Sequence, residues 1–268
     1  MMNLLVLTLL LADPVRSDVV GLIRGGTAGD LPTAVALTLK DDKFKKIFCG
    51  GTILSKKIIL TAAHCMDAIK DDDNLNVDNL EVVAGDPKLF NYRTGGKGFE
   101  KIFSVRRAVV HPNYDKEMNG NYAWDLAILE LNEDIDFESN PRIDVAHLPP
   151  PEVILTGQKI TVGGWGKTVG VPEQIFNLSV IQVPVNHPET CEDNFGDEFV
   201  KENMFCAGDK TKTACKGDSG SGATISVNDK TYLLGVVSFG VAEACRDMAG
   251  FQKIGPSLPW IFMETGLT

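Results

Sequence analysis

Apolar residues recur along this chain in short runs rich in valine, isoleucine and threonine, each bounded by glycine, proline, asparagine or aspartate. Ile47–Leu54, Ile58–Ala62, Ile102–Val110, Leu126–Leu131, Ile160–Gly163, Leu178–Val185 and Tyr232–Phe239 read as strands. The middle of the chain holds no long amphipathic helical stretch. Only Pro259–Glu264 reads as a short helix, with proline at its first position and Gly266 just past its end. The pattern predicts a largely antiparallel all-β protein, sandwich or barrel. The polar segment Asn132–Pro151 ends in three prolines and predicts a link between two halves.

A chain of 268 residues, 44% hydrophobic, can form one double-layered unit or two packed halves of about 100–130 residues each. A formal charge of −10 excludes nucleic acid as a partner, since phosphate backbones select basic surfaces. The apolar run Leu4–Ala12 is too short for a bilayer, which needs roughly 20 residues, and suits the core of a secretory signal. No lysine or arginine precedes it. Residues 1–12 are therefore expected to be a signal peptide and the protein secreted and extracellular, with no membrane anchor.

Cysteines stand at 49, 65, 191, 206, 215 and 245. An even count behind a signal reads as disulfides, and six cysteines allow 15 pairings. No Cys-x-x-Cys occurs and the histidines are scattered, so no metal is expected. Met66–Glu81 holds six acids against one base, a net of −5, and reads as a solvated loop. Asp86 and Glu100 could offer oxygens to calcium, although a solvated loop is the plainer reading.

Three strings carry possible chemistry. In Gly217-Asp218-Ser219-Gly220, a serine between glycines can sit on a tight turn with its hydroxyl exposed. The amides of Gly217 and Ser219 could then converge on a developing oxyanion. Serine needs a base, and the base needs an orienting carboxylate. Leu60-Thr-Ala-Ala-His64-Cys65 places a histidine at the end of an apolar run. Trp124-Asp125-Leu126 sends an acid into a wholly apolar strand, which is costly unless a partner such as an imidazole N–H meets it.

In the order His, Asp, Ser, these strings resemble the chymotrypsin-like serine proteases. The likeness extends through Phe48-Cys49-Gly-Gly-Thr52, Gly164-Trp165-Gly166, Met204-Phe-Cys206-Ala-Gly208 and Ser238-Phe239-Gly240, and runs from about Ile23 to the C-terminus. The resemblance implies two packed six-stranded antiparallel β-barrels, at about 35–135 and 152–255, with a short C-terminal helix and the active site between them. It implies disulfides Cys49–Cys65, Cys191–Cys206 and Cys215–Cys245, each worth roughly 3 kcal/mol if unstrained. It implies a triad of His64, Asp125 and Ser219, an oxyanion hole of Gly217 and Ser219, and Ser238 supporting the buried aspartate. No cofactor is expected. The partners expected are protein or peptide substrates and protein inhibitors, and the enzyme is expected to be a monomer.

The resemblance also bears on specificity and activation. Thr213 stands at the floor of the primary pocket, without charge, and Gly240 and Gly250 stand at its walls. Together with Ser238 and Phe239 they predict cleavage after large apolar or aromatic residues rather than Arg or Lys. Gln252 replaces a usual aromatic and is expected to make that floor more polar. Ile23 resembles the N-terminus that family zymogens expose, and its amine would pair with Asp218. Residues 13–22 would be the propeptide, and Leu22 rather than a basic residue precedes the cut. Ser221 replaces a usual glycine and is expected to crowd the nucleophile turn, and Trp124 replaces a usual asparagine. Two rivals are a relative that has lost activity and serves as a binding module, and an α/β-hydrolase. The first usually lacks a triad residue, and the second needs the order Ser, Asp, His.

Overall fold

The structure is a computed structural model. It describes residues 25–42, 46–71, 74–89, 98–115, 120–166, 177–240, 245 and 247–268. The expected signal and propeptide, and Ile23 with them, lie outside these residues.

The strands are β1 (Thr27–Ala28), β2 (Ala34–Leu39), β3 (Cys49–Ile53), β4 (Ile58–Thr61), β5 (Lys70–Asp71), β6 (Asn74–Leu75), β7 (Leu80–Ala84), β8 (Lys101–Val110) and β9 (Ala127–Leu131) in the first half. The second half adds β10 (Lys159–Gly164), β11 (Ser179–Pro184), β12 (Met204–Ala207), β13 (Gly222–Val227), β14 (Lys230–Gly240) and β15 (Ala249–Lys253). In the order β2-β3-β4-β9-β8-β7 the first half closes into an antiparallel barrel. Val35, Leu37, Ile53, Leu60, Leu80, Val82 and Leu129 fill it.

The second half is a seven-stranded sheet in the order β1-β11-β10-β13-β14-β15-β12. Six of its strands curl until β11 and β12 approach, where a single bridge, Val185 to Ala207, joins the edges. Its core is Ile160, Val162, Ile181, Val183, Phe205 and Phe251, with the last two rings stacked 5.0 Å apart. β1, from the start of the chain, adds itself outside β11.

Among the described residues, two α-helices flank the sheets. The C-terminal helix α2 (Leu258–Thr265) ends at Gly266, whose φ of 69° is the left-handed conformation a C-cap requires. Helix α1 (Pro188–Phe195) corrects the expectation that only the chain's end is helical. Its proline start and Glu189 in the first turn are ordinary helix signals, but it is polar almost throughout and buries only Cys191. The disulfide Cys191–Cys206 ties it to β12.

The two halves are bound by more than their connection. Trp165 Nε1–H and the Leu178 amide both donate to the Pro87 carbonyl, at 3.2 and 2.6 Å. Trp165 and Leu178 pack there on Ala36, Val83 and Leu89. The linking segment is itself strapped down. The Ala146 amide donates to Ile53 O in β3, and the next amide, of His147, donates to Thr231 O in β14.

Helix α2 follows the second sheet in sequence, yet Leu258, Trp260 and Ile261 pack into the first barrel's core. Trp260 also lies 4.6 Å from the ring of His111. Trp260→Ala should cost about 3–5 kcal/mol, read as a lowered urea midpoint at unchanged slope.

Candidate active site

His64 is the second residue of the short 3-10 helical segment Ala63–Ile69 that follows β4. The neighbouring Cys49–Cys65 disulfide pins that segment to β3. Its sulfurs lie within 4.8 Å of a His64 ring nitrogen, but their mutual bond removes both thiolates a metal would need.

Asp125 lies between Trp124 and β9 and is fully buried. A carboxylate in such a place must be met by donors. Oδ1 accepts from the His64 amide at 2.8 Å, and Oδ2 lies 2.7 Å from His64 Nδ1. Oδ2 also accepts from Ser238 Oγ, which is buried at the end of β14. The carboxylate thus holds a proton on Nδ1 and leaves Nε2 as the basic nitrogen. Tyr114 lies close by, and burial first, then the negative charge of Asp125, pushes its hydroxyl far above the usual tyrosine range.

Trp124 has a φ of 63°, a left-handed backbone that costs a bulky residue roughly 1–2 kcal/mol. Its indole stacks on His111, with centroids 4.8 Å apart and planes at 16°. Burial lowers the His111 pKa to about 4, so the imidazole is neutral, and its Nδ1 accepts from the Asn113 amide. An apolar sandwich therefore offsets strain next to the acid.

Ser219 lies on a turn whose flanking Gly217 and Gly220 have φ values of 97° and 80°, open to glycine at little cost. The Ser219 carbonyl accepts from the Gly50 amide at 2.7 Å, which ties the turn to the first barrel. Among the described residues, neither the Gly217 nor the Ser219 amide donates to a protein acceptor. The crowding expected from Ser221 is absorbed by Gly50, where an added Cβ would lie 2.3 Å from Ser221 Oγ.

His64 and Ser219 border one cavity of about 430 Å³ between the halves. Ser238, Phe239 and Gly240 border it too, whereas Thr213 and Gly250 do not. Thr213 is buried, and among the described residues its hydroxyl has no partner. Gly250 makes room for a neighbour, since a Cβ there would fall 2.4 Å from the Phe239 ring. Gln252 is a clear correction. It is fully buried and outside the cavity, because its amide is drawn to backbone groups of Asp125 and Asn203.

Met248, Ala214 and Tyr122 line the cavity without having been singled out from sequence. The Tyr122 ring stacks on Phe239 at 5.1 Å, a pairing across the two halves that no local string announces. Asp86 is buried rather than solvated. Both of its oxygens accept backbone N–H groups, from Lys88 and Phe99.

A closed β-barrel packed on a curled β-sheet, with a carboxylate-bound imidazole and a serine along the cleft between them, defines the class of hydrolases that work through a serine nucleophile. The family model for Trypsin matches residues 23–261, and the chain belongs to that family of chymotrypsin-like serine proteases. Trypsin-1 of Astacus astacus is 29% identical, over 89% of this chain and 98% of that protein. Chymotrypsin-like elastase family member 1 of Homo sapiens is 30% identical, over 89% and 90%. Mannan-binding lectin serine protease 1 of Mus musculus is 31% identical over 82% of this chain, which spans only 32% of that longer protein. The chain is a serine endopeptidase, and its substrates are proteins.

Asp218, next to the serine, is fully buried, and no cation among the described residues reaches it. Burial pushes its pKa up to about 7, against the pull of amide donors from Cys215 and Gly166. Between roughly pH 4 and 7 the folded chain therefore binds a proton that the unfolded chain has released, and stability falls as pH rises. The protein should lose up to about 1.4 kcal/mol per pH unit across that window. Asp218→Asn should flatten the slope of denaturation midpoint against pH.

Proposed function

We propose that His64, Asp125 and Ser219 form the catalytic triad. His64 Nε2 removes the Ser219 proton as the oxygen attacks the peptide carbonyl, Asp125 stabilises the imidazolium, and the Gly217 and Ser219 amides hold the oxyanion. His64 then protonates the leaving amine, and water releases the acyl group. The observation that carries this reading is the buried Asp125 carboxylate on His64 Nδ1, in a cleft shared with Ser219. Ser219→Ala should lower kcat by about 10⁶-fold and abolish labelling by a fluorophosphonate. Activity retained in that variant overturns the assignment.

The primary preference is for large apolar or aromatic residues. Charged groups on the cavity, Asp67, Glu198 and Lys216, are exposed at its rim, whereas its buried lining, including Ala214, Val237, Phe239 and Ala249, is uncharged. Asp67 supports a preference for basic residues on the leaving-group side through a salt-dependent attraction. The enzyme is secreted, a reading that three disulfides favour. It is made as a zymogen in which cleavage after Leu22 frees Ile23 to pair with Asp218. The uncompensated burial of Asp218 supports this, and a chymotrypsin-like activator or self-activation suits a leucine at the cut. The active form should begin at Ile23 by mass spectrometry and turn over Phe, Tyr, Leu or Met peptides fastest. A different N-terminus, or fastest turnover after Arg or Lys, refutes the corresponding reading.

A further inference from the structure

We propose that Gln252 is a positioning residue for the triad, holding the main chain of Asp125 from the opposite half of the molecule. The proposal rests on Asp125 being the triad acid. Gln252 is a fully buried amide on β15, and each of its polar ends is costly in that place unless it is met. Its Oε1 accepts the Asp125 backbone N–H at 3.3 Å, and its Nε2 donates to the Asn203 carbonyl at 2.6 Å.

The Asp125 backbone needs such help. Leu126 N–H turns back to Trp124 O at 2.7 Å, Trp124 is left-handed, and β9 begins only at Ala127, so Asp125 N–H lies outside the barrel's ladder. Its other acceptor, Tyr122 O, is also 3.3 Å away. Gln252 pairs with Val236 on β14, two residues before Ser238. One sheet of the second half therefore grips Asp125 twice, by carboxylate through Ser238 and by main chain through Gln252. Because Gln252 does not border the cavity, its effect should fall on turnover and not on substrate binding.

The test compares Gln252→Met, Gln252→Glu and Asp125→Asn, each with active sites counted by fluorophosphonate titration. Gln252→Met keeps the volume and loses both bonds. Its kcat per site should fall about tenfold with KM unchanged, since small misplacements of catalytic groups act on turnover. The low-field proton resonance of the His64–Asp125 hydrogen bond should broaden. In Gln252→Glu the carboxyl should stay protonated near Asp125, accept from its N–H, donate to Asn203 O and restore kcat.

At high pH that carboxyl ionises, and kcat should decline where the parent's stays level. The titratable groups facing Asp125 are His64 and Tyr114, and Lys253 adjoins Gln252 on its own strand. Parent-like kcat and resonance in Gln252→Met, with Asp125→Asn inactive, overturn the positioning role alone. An active Asp125→Asn overturns the triad reading beneath it. Should Gln252→Met not fold, a Gln252→Glu profile identical to the parent's at all pH overturns the proposal.

Discussion

A negative charge kept out of water is the constraint on which this molecule turns. Asp125 has no exposed surface, so each of its oxygens must be met from within. The donors come from two places far apart in sequence. His64, on the first barrel, gives its amide and its ring, and Ser238, on the second sheet, gives its hydroxyl. Neither half can hold this carboxylate alone, so its burial is also a condition on how the halves meet.

That condition is reinforced on both sides of the cleft. The serine turn belongs to the second half but hangs from the Gly50 amide of the first. The Tyr122 ring of the first half lies flat on Phe239 of the second. Away from the cleft, Pro87 receives two donors from across the interface, and the linker is bonded on both faces within two residues. These contacts are individually modest, at about 1 kcal/mol for a typical hydrogen bond. Together with Leu233, Val236 and the α2 side chains, which join the first barrel's core, they fix the relation of the two halves.

Much of this was legible beforehand. Alternating runs such as Leu178–Val185 marked strands, and an acid inside an apolar run marked Asp125 as a residue in need of a partner. What escaped has physical reasons. β15 is Ala-Gly-Phe-Gln-Lys and β12 is Met-Phe-Cys-Ala, almost wholly buried and without alternation, so no period of two exists to read. Helix α1 is amphipathic only around Cys191, and its place depends on a disulfide partner 15 residues on. Position in a string cannot show that the Gln252 amide turns towards a backbone N–H of the first half rather than towards the pocket floor. Thr213 and Gly250 likewise do not border the cavity. Proximity to a cavity is not the same as bordering it, and the Phe239 ring that packs on Gly250 is set by tertiary contacts.

The placement of helix α2 has a consequence for how the molecule is made. The first barrel is complete in its strands by Leu131, but part of its core is Leu258, Trp260 and Ile261. During synthesis that barrel emerges from the ribosome first and waits with an open apolar seam until those side chains arrive. Chaperone occupancy of nascent chains would then persist through translation of the second half, and the two halves mature together.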